Sequence, residues 1–246
     1  MNIATINAVE FLLYSYYKLS LDDGDNTNRV IETAISIAFK DATNQSAFNV
    51  LKKEGSLIEA KEKARKTLLG THGVIALLES GDKQSYDCLH DSLCKQLIDD
   101  YSNIRISEAP DKQAFTYGNA QKWVNMSIKN LYVIRNLYGV LEKENEYAFV
   151  RDFGEAIDTA KFFFHIPVDS FILQAVWDYL KAPIIVKTNK DGKKGKYSSD
   201  KVKPWSTWDG EDYKLFLTFV IGLSDCPIDW EGPEWIKQAK RKRKND

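Results

Sequence analysis

Two residues in this 246-residue chain stand in surroundings suited to covalent chemistry: Lys122, and Asp169 further along. Lys122 belongs to the run Phe115-Thr116-Tyr117-Gly118-Asn119-Ala120-Gln121-Lys122-Trp123. Tyr117-Gly118-Asn119 reads as a turn, because glycine tolerates positive φ and asparagine can bond its own backbone. From Ala120 the spacing predicts a helix with Ala120, Val124, Ser127, Ile128, Leu131 and Ile134 facing a core. Lys122, Asn125 and Lys129 fall on a different stripe. Lys122 is therefore expected in a first helical turn, off the buried face. There the partial positive charge of the helix end disfavours a cation by ~0.3–1 kcal/mol, and an amine relieved of its proton is a nucleophile. In the second run, His165-Ile166-Pro167-Val168-Asp169-Ser170, Pro167 holds Ile166 extended. Asp169 or Ser170 then caps a helix whose apolar face is Ile172, Ala175, Val176 and Tyr179.

The elements that must position this pair are mostly helical. Residues 2–19 predict an amphipathic helix closed by Asp22-Asp23-Gly24-Asp25, and a second opens at Asn26 or Thr27. Residues 56–79 predict a longer helix bent near Gly70 or Gly73, followed by helices over 83–104 and about 147–164. The chain is 43% hydrophobic and 28% charged, enough apolar material for a full core. No apolar run approaches the roughly 20 residues of a membrane span. Glu10 and the polar residues around it argue against a signal peptide. Cys88, Cys94 and Cys226 neither pair evenly nor carry metal-ligand spacing, as expected of reduced thiols in a cytoplasmic protein.

Charge is unevenly spread. The net is only −1, yet Pro183–Asp246 holds 14 Lys+Arg against 10 Asp+Glu, which places the positive charge late in the chain. Seven lysines stand against two aspartates in residues 187–203, a loop whose Lys193, Lys194 and Lys196 could track phosphates. The preceding Ala182–Thr188 could supply one strand of a small β-hairpin over 183–203. Four tryptophans crowd residues 205–235, and Lys240–Lys244 form a basic end predicted to fray beyond residue 236. Phe162-Phe163-Phe164 cannot all face one side, so at least one meets another element or a cleft.

Other chemistries lack their signatures. No GxxxxGK[ST], GxGxxG, GxSxG, HExxH or CxxC occurs. His72, His90 and His165 have no ligand spacing, so neither metal nor cofactor is expected.

A turn, a lysine at a helix start and a later Ile-Pro-Val-Asp opening another helix resemble the helix-hairpin-helix DNA glycosylases. The likeness covers roughly residues 105–182. It is nearest to their archaeal-type oxidised-guanine branch and to bacterial relatives proposed to act on hypermodified phage bases. Phe115-Thr116-Tyr117-Gly118-Asn119 stands where that family usually carries Leu-Pro-Gly-Val-Gly.

The resemblance implies an all-α, two-lobed bundle over 1–236, with 105–182 as its catalytic core. It also implies a monomer acting on double-stranded DNA that contains a modified base, in repair or in anti-phage defence. Lys122 would be the Schiff-base lysine, with Lys129 one alternative, and Asp169 the carboxylate beside the sugar. His165, Trp123, Phe163, Trp205 and Trp208 would receive the everted base. Gly118, Asn119, Lys129 and the loop lysines would hold the DNA. Two other readings compete: a non-catalytic helical protein that binds nucleic acid, and a helical interaction or defence protein without a nucleic-acid role.

Overall fold

The computed structural model describes residues 3–44, 46–141, 146–181 and 203–245. It is mainly helical. In chain order come α1 (Ile3–Leu12), α2 (Thr27–Thr43), α3 (Ala47–Val50), α4 (Leu57–Leu69), α5 (Val74–Leu78) and α6 (Lys83–Asp100). There follow α7 (Tyr117–Gly139), α8 (Ala148–Ala160), α9 (Ser170–Leu180), α10 (Gly210–Ile221) and α11 (Pro227–Asn245). A small antiparallel sheet, ordered β1 (Lys53–Glu54), β2 (Arg105–Ile106) and β3 (Ala109–Gln113), joins the segments before α4 and α7. Ile106 faces Lys53 on one side and Ala109 on the other, with a register shift after Arg105. Pro110 is tolerated because β3 is an edge strand. The hairpin expected over 183–203 falls, but for Lys203, outside the described residues, as do Lys193, Lys194 and Lys196.

Everything is arranged around α7. It begins three residues before its apolar pattern suggests, because Thr116 caps it. The Thr116 hydroxyl accepts from the Asn119 N–H at 3.2 Å, and the Asn119 side chain accepts from the Thr116 N–H at 3.3 Å. That reciprocal cap converts the expected Tyr117-Gly118-Asn119 turn into the first turn of the helix. Lys122 consequently sits in the second turn, beyond most of the end charge of the helix.

Nor is α7 a surface helix. Fifteen of its 23 residues are buried, because α2, α6, α8 and α10 pack around it. Ile128, Leu131 and Ile134 are fully buried, each contributing roughly 1.5–3 kcal/mol. Ala34, Ala38 and Ala42 let α2 approach α7 closely, and α7 side chains reach the α2 carbonyls. Trp123 Nε1 donates to the Ile35 carbonyl at 2.9 Å, Asn130 to Ala34 at 3.1 Å and Asn119 to Ala42 at 2.9 Å.

Two further boundaries differ from expectation. The helix predicted over 56–79 is broken into α4 and α5 at Gly70–Gly73. The basic end is not a separate tail: α11 continues to Asn245, Gln238 donates to Asp178 of α9 at 3.0 Å, and Arg241 pairs with the same carboxylate.

Candidate active site

Asp169 takes both duties open to a helix-capping carboxylate. Its Oδ1 accepts from the Phe171 and Ile172 N–H groups, each at 3.0 Å, which caps α9. Its Oδ2 accepts from Lys122 Nζ at 3.3 Å and from Trp235 Nε1 at 2.9 Å. Burial pushes the Asp169 carboxyl up, but the Lys122 charge and these hydrogen bonds outweigh it and hold it below the usual range. Lys122 itself is only 5% exposed.

The pair opens on a cavity of about 320 Å³ whose aromatic lining is Phe171, Trp205 and Trp235. The Trp205 ring lies 5.9 Å from Lys122 Nζ, and Phe171 meets Trp235 edge-on at 5.1 Å. Trp205 is held there by the start of α7. Gly118 donates its N–H to the Trp208 carbonyl at 3.1 Å, and Thr116 Oγ1 donates to the Ser206 carbonyl at 2.8 Å. A Cβ at position 118 would lie 1.9 Å from the Trp205 carbonyl oxygen. Gly118 thus serves close backbone approach and has no positive φ.

Lys129 shares the cavity but is bonded to Glu231 Oε2 at 2.5 Å, and Glu231 is 1% exposed. Of the two lysines on this stripe, Lys122 is the one beside Asp169. Asp41, near the end of α2, also lines the cavity and, among the described residues, makes no hydrogen bond or ion pair. Desolvation and the Asp169 charge raise its carboxyl above the usual range, although Lys122 and Lys129 pull the other way.

Several expected residues lie elsewhere. Trp123 is sealed between Phe39 and Phe115 in the core, and Trp208 packs on Phe216 with its indole N–H on the Lys203 carbonyl. Gly118 and Asn119 are buried in the α7 cap, so neither presents a surface to a phosphate. Phe163 is half-buried and packs against the core outside this cavity. His165 lines a second cavity, where Nε2 meets Asp87 Oδ1 at 2.9 Å.

Asp41, Phe171 and Glu231 are additions that no local sequence pattern marked, and Trp235 stands out only as one of the four crowded tryptophans. They come from three helices, and only packing brings them together. Among the described residues no group of three or more His, Cys, Asp or Glu could hold a metal ion, and no helix is long and apolar enough to cross a membrane.

Comparison with known proteins is silent. No family model matches the chain, and neither a curated protein nor a solved structure matches it.

Proposed function

We propose that the protein is a DNA N-glycosylase with lyase activity, acting as a monomer in the cytoplasm on duplex DNA that carries a modified base. One observation carries this reading: an amine and a carboxylate from distant parts of the chain meet at 3.3 Å in an aromatic-lined cavity. Three free cysteines accord with a reducing compartment.

The target nucleotide leaves the stack, and its base takes a place among Trp205, Trp235 and Phe171. As the N-glycosidic bond breaks, its electron pair departs with the base and positive charge grows on the sugar C1′. Asp169 Oδ2 stabilises that charge, and the low-dielectric surroundings magnify the effect. Lys122 Nζ, once it has lost its proton, bonds to C1′. The C1′–O4′ bond then breaks, its electron pair and a proton pass to O4′, and the opened sugar is left as the Schiff base. Loss of a C2′ proton then breaks the bond to the 3′ phosphate by β-elimination. Asp41, which makes no hydrogen bond or ion pair among the described residues, lines the same cavity and serves as acceptor for the lysine proton.

The substrate is an oxidised purine or a hypermodified pyrimidine of the kind found in phage DNA. The test is borohydride trapping on duplexes carrying each lesion. A covalent adduct is expected with the wild type and none with Lys122→Ala, whose base release falls as well. Absence of both base release and adduct across such a panel would remove the proposal.

A further inference from the structure

The basic end of α11 has no part in the excision step, yet the fold sets it beside the site. Glu231, Trp235, Gln238 and Lys242 follow one another at four, three and four residues, so they share one stripe of α11. Glu231 and Trp235 line the Lys122–Asp169 cavity. Gln238 and Lys242 line a groove of about 440 Å³ between α9 and α11. Cavity and groove adjoin, because Ser170 and Phe171 line both. Phe171 stands at the junction: Trp235 meets its ring edge-on at 5.1 Å, and Lys242 Nζ lies 5.9 Å from its centre.

From Lys237 to Asn245 the helix carries six cations and no carboxylate. Lys237 is matched by Glu234 at 3.0 Å, and Arg241 pairs with Asp178. Lys240, Lys242, Arg243 and Lys244 are exposed and make no ion pair among the described residues. Asp178 is the one carboxylate among the residues that line the groove. Gln174 donates to it at 2.9 Å and Gln238 at 3.0 Å, and Arg241 pairs with it, so its charge is already answered. Cations in a last turn complement the partial negative charge of the helix end. That role gives no reason for Lys242 to lie over a ring that also walls the cavity. An anionic membrane is a poorer fit, since Trp235 and Ile236 are the large apolar residues that α11 exposes, too few for an apolar face.

We propose that the groove holds the phosphate backbone of the DNA strand that carries the modified base, with Lys242 bonded to one phosphate. Trp235 and Lys242 are separated by about 10 Å along the helix, which puts that phosphate within roughly three nucleotides of the everted one. This register rests on the excision reading; the phosphate contact does not.

Fluorescence anisotropy of the full chain on a labelled, unmodified duplex, titrated across salt concentrations, tests the contact. Lys242→Gln should flatten the slope of log affinity against log salt by about 0.9, the share of one phosphate. Asp178→Asn removes the negative charge of the groove and frees Arg241, so it should bind several-fold tighter at low salt, a gain that a merely structural role would not give. A single methylphosphonate then locates the phosphate on a modified duplex, read in a Lys122→Ala background to slow turnover. At one position near the modified base it should weaken binding, and adding Lys242→Gln should remove that sensitivity. An unchanged slope in Lys242→Gln, or no gain in Asp178→Asn, overturns the proposal even where base release persists. So does a wild type that ignores DNA, or that is retained on anionic lipid vesicles instead. Absence of base release with both changes observed would remove the excision reading and the register, and would support the phosphate contact by itself.

Discussion

The two cavities beside α7 are of similar size and opposite electrical character. Around Lys122, charge is kept: an amine and a carboxylate meet directly, and Asp41 lines the same cavity with no hydrogen bond or ion pair among the described residues. Around His165, charge is removed: the imidazoles of His90 and His165 are driven neutral by burial, and the carboxylates are matched. A low-dielectric wall strengthens a charge pair in the first case and suppresses ionisation in the second. A short connection joins them, because His165 and Asp169 end the same buried segment through Ile166, Pro167 and Val168. Burial alone therefore does not distinguish the two cavities; one holds an amine against a carboxylate under aromatic walls, the other a pair of neutral imidazoles.

The largest effect should come from Asp169→Asn. It keeps a capping oxygen but loses the negative charge, so base release should drop by about 10²–10³, the scale of a lost transition-state electrostatic contact. Single-turnover assays would read it, and an unchanged rate would remove Asp169 from the chemistry. Gly118→Ala comes next. With 1.9 Å available to the new Cβ, the α7 cap and the Trp205 turn must separate at a cost of about 1–3 kcal/mol or more. Urea unfolding would measure the loss, and the first cavity should suffer with it.

Acid should weaken the fold through the histidine cavity. His90 titrates near 3 in the native state, held down chiefly by burial and by His165, against 6.5 in an unfolded chain. The unfolded chain thus takes up the proton first, and stability complete above about pH 6.5 falls as pH drops toward 3. The depressed His165 adds to the same slope. Urea midpoints against pH would show it, and His90→Gln should flatten the curve; a flat wild-type curve would contradict the neutral, buried assignment. The smallest effect is expected of Trp235→Phe, which removes one hydrogen bond to Asp169 Oδ2. A loss of about 0.5–1.5 kcal/mol in transition-state stabilisation, read as a several-fold slower rate, would follow.

Much of the helical layout was legible because apolar residues recur with the helical period. The α2 face over Val30, Ala34 and Ala38 follows from it, and the start of α9 is narrowed to a cap at Asp169 or Ser170, of which the structure uses Asp169. What misled was the assumption that a helix has one buried side. On α7, Trp123 and Asn119 read as available for a ligand, yet α2 covers both and accepts their hydrogen bonds at its own carbonyls. Gly118 carried a real signal with a misread cause: it marks the docking of Trp205, 87 residues away, and not a turn.

The sequence alone determined the helical class, a cap at Asp169 or Ser170, and an amine and a carboxylate as the two candidate groups, since these depend on local spacing and side-chain chemistry. Only the tertiary structure decided that Lys122 reaches Asp169, that Asp41 and Trp235 join them, and that His165 belongs to another cavity. Local periodicity says which way a side chain leaves its own helix. It holds no information about which distant helix fills the space that side chain enters.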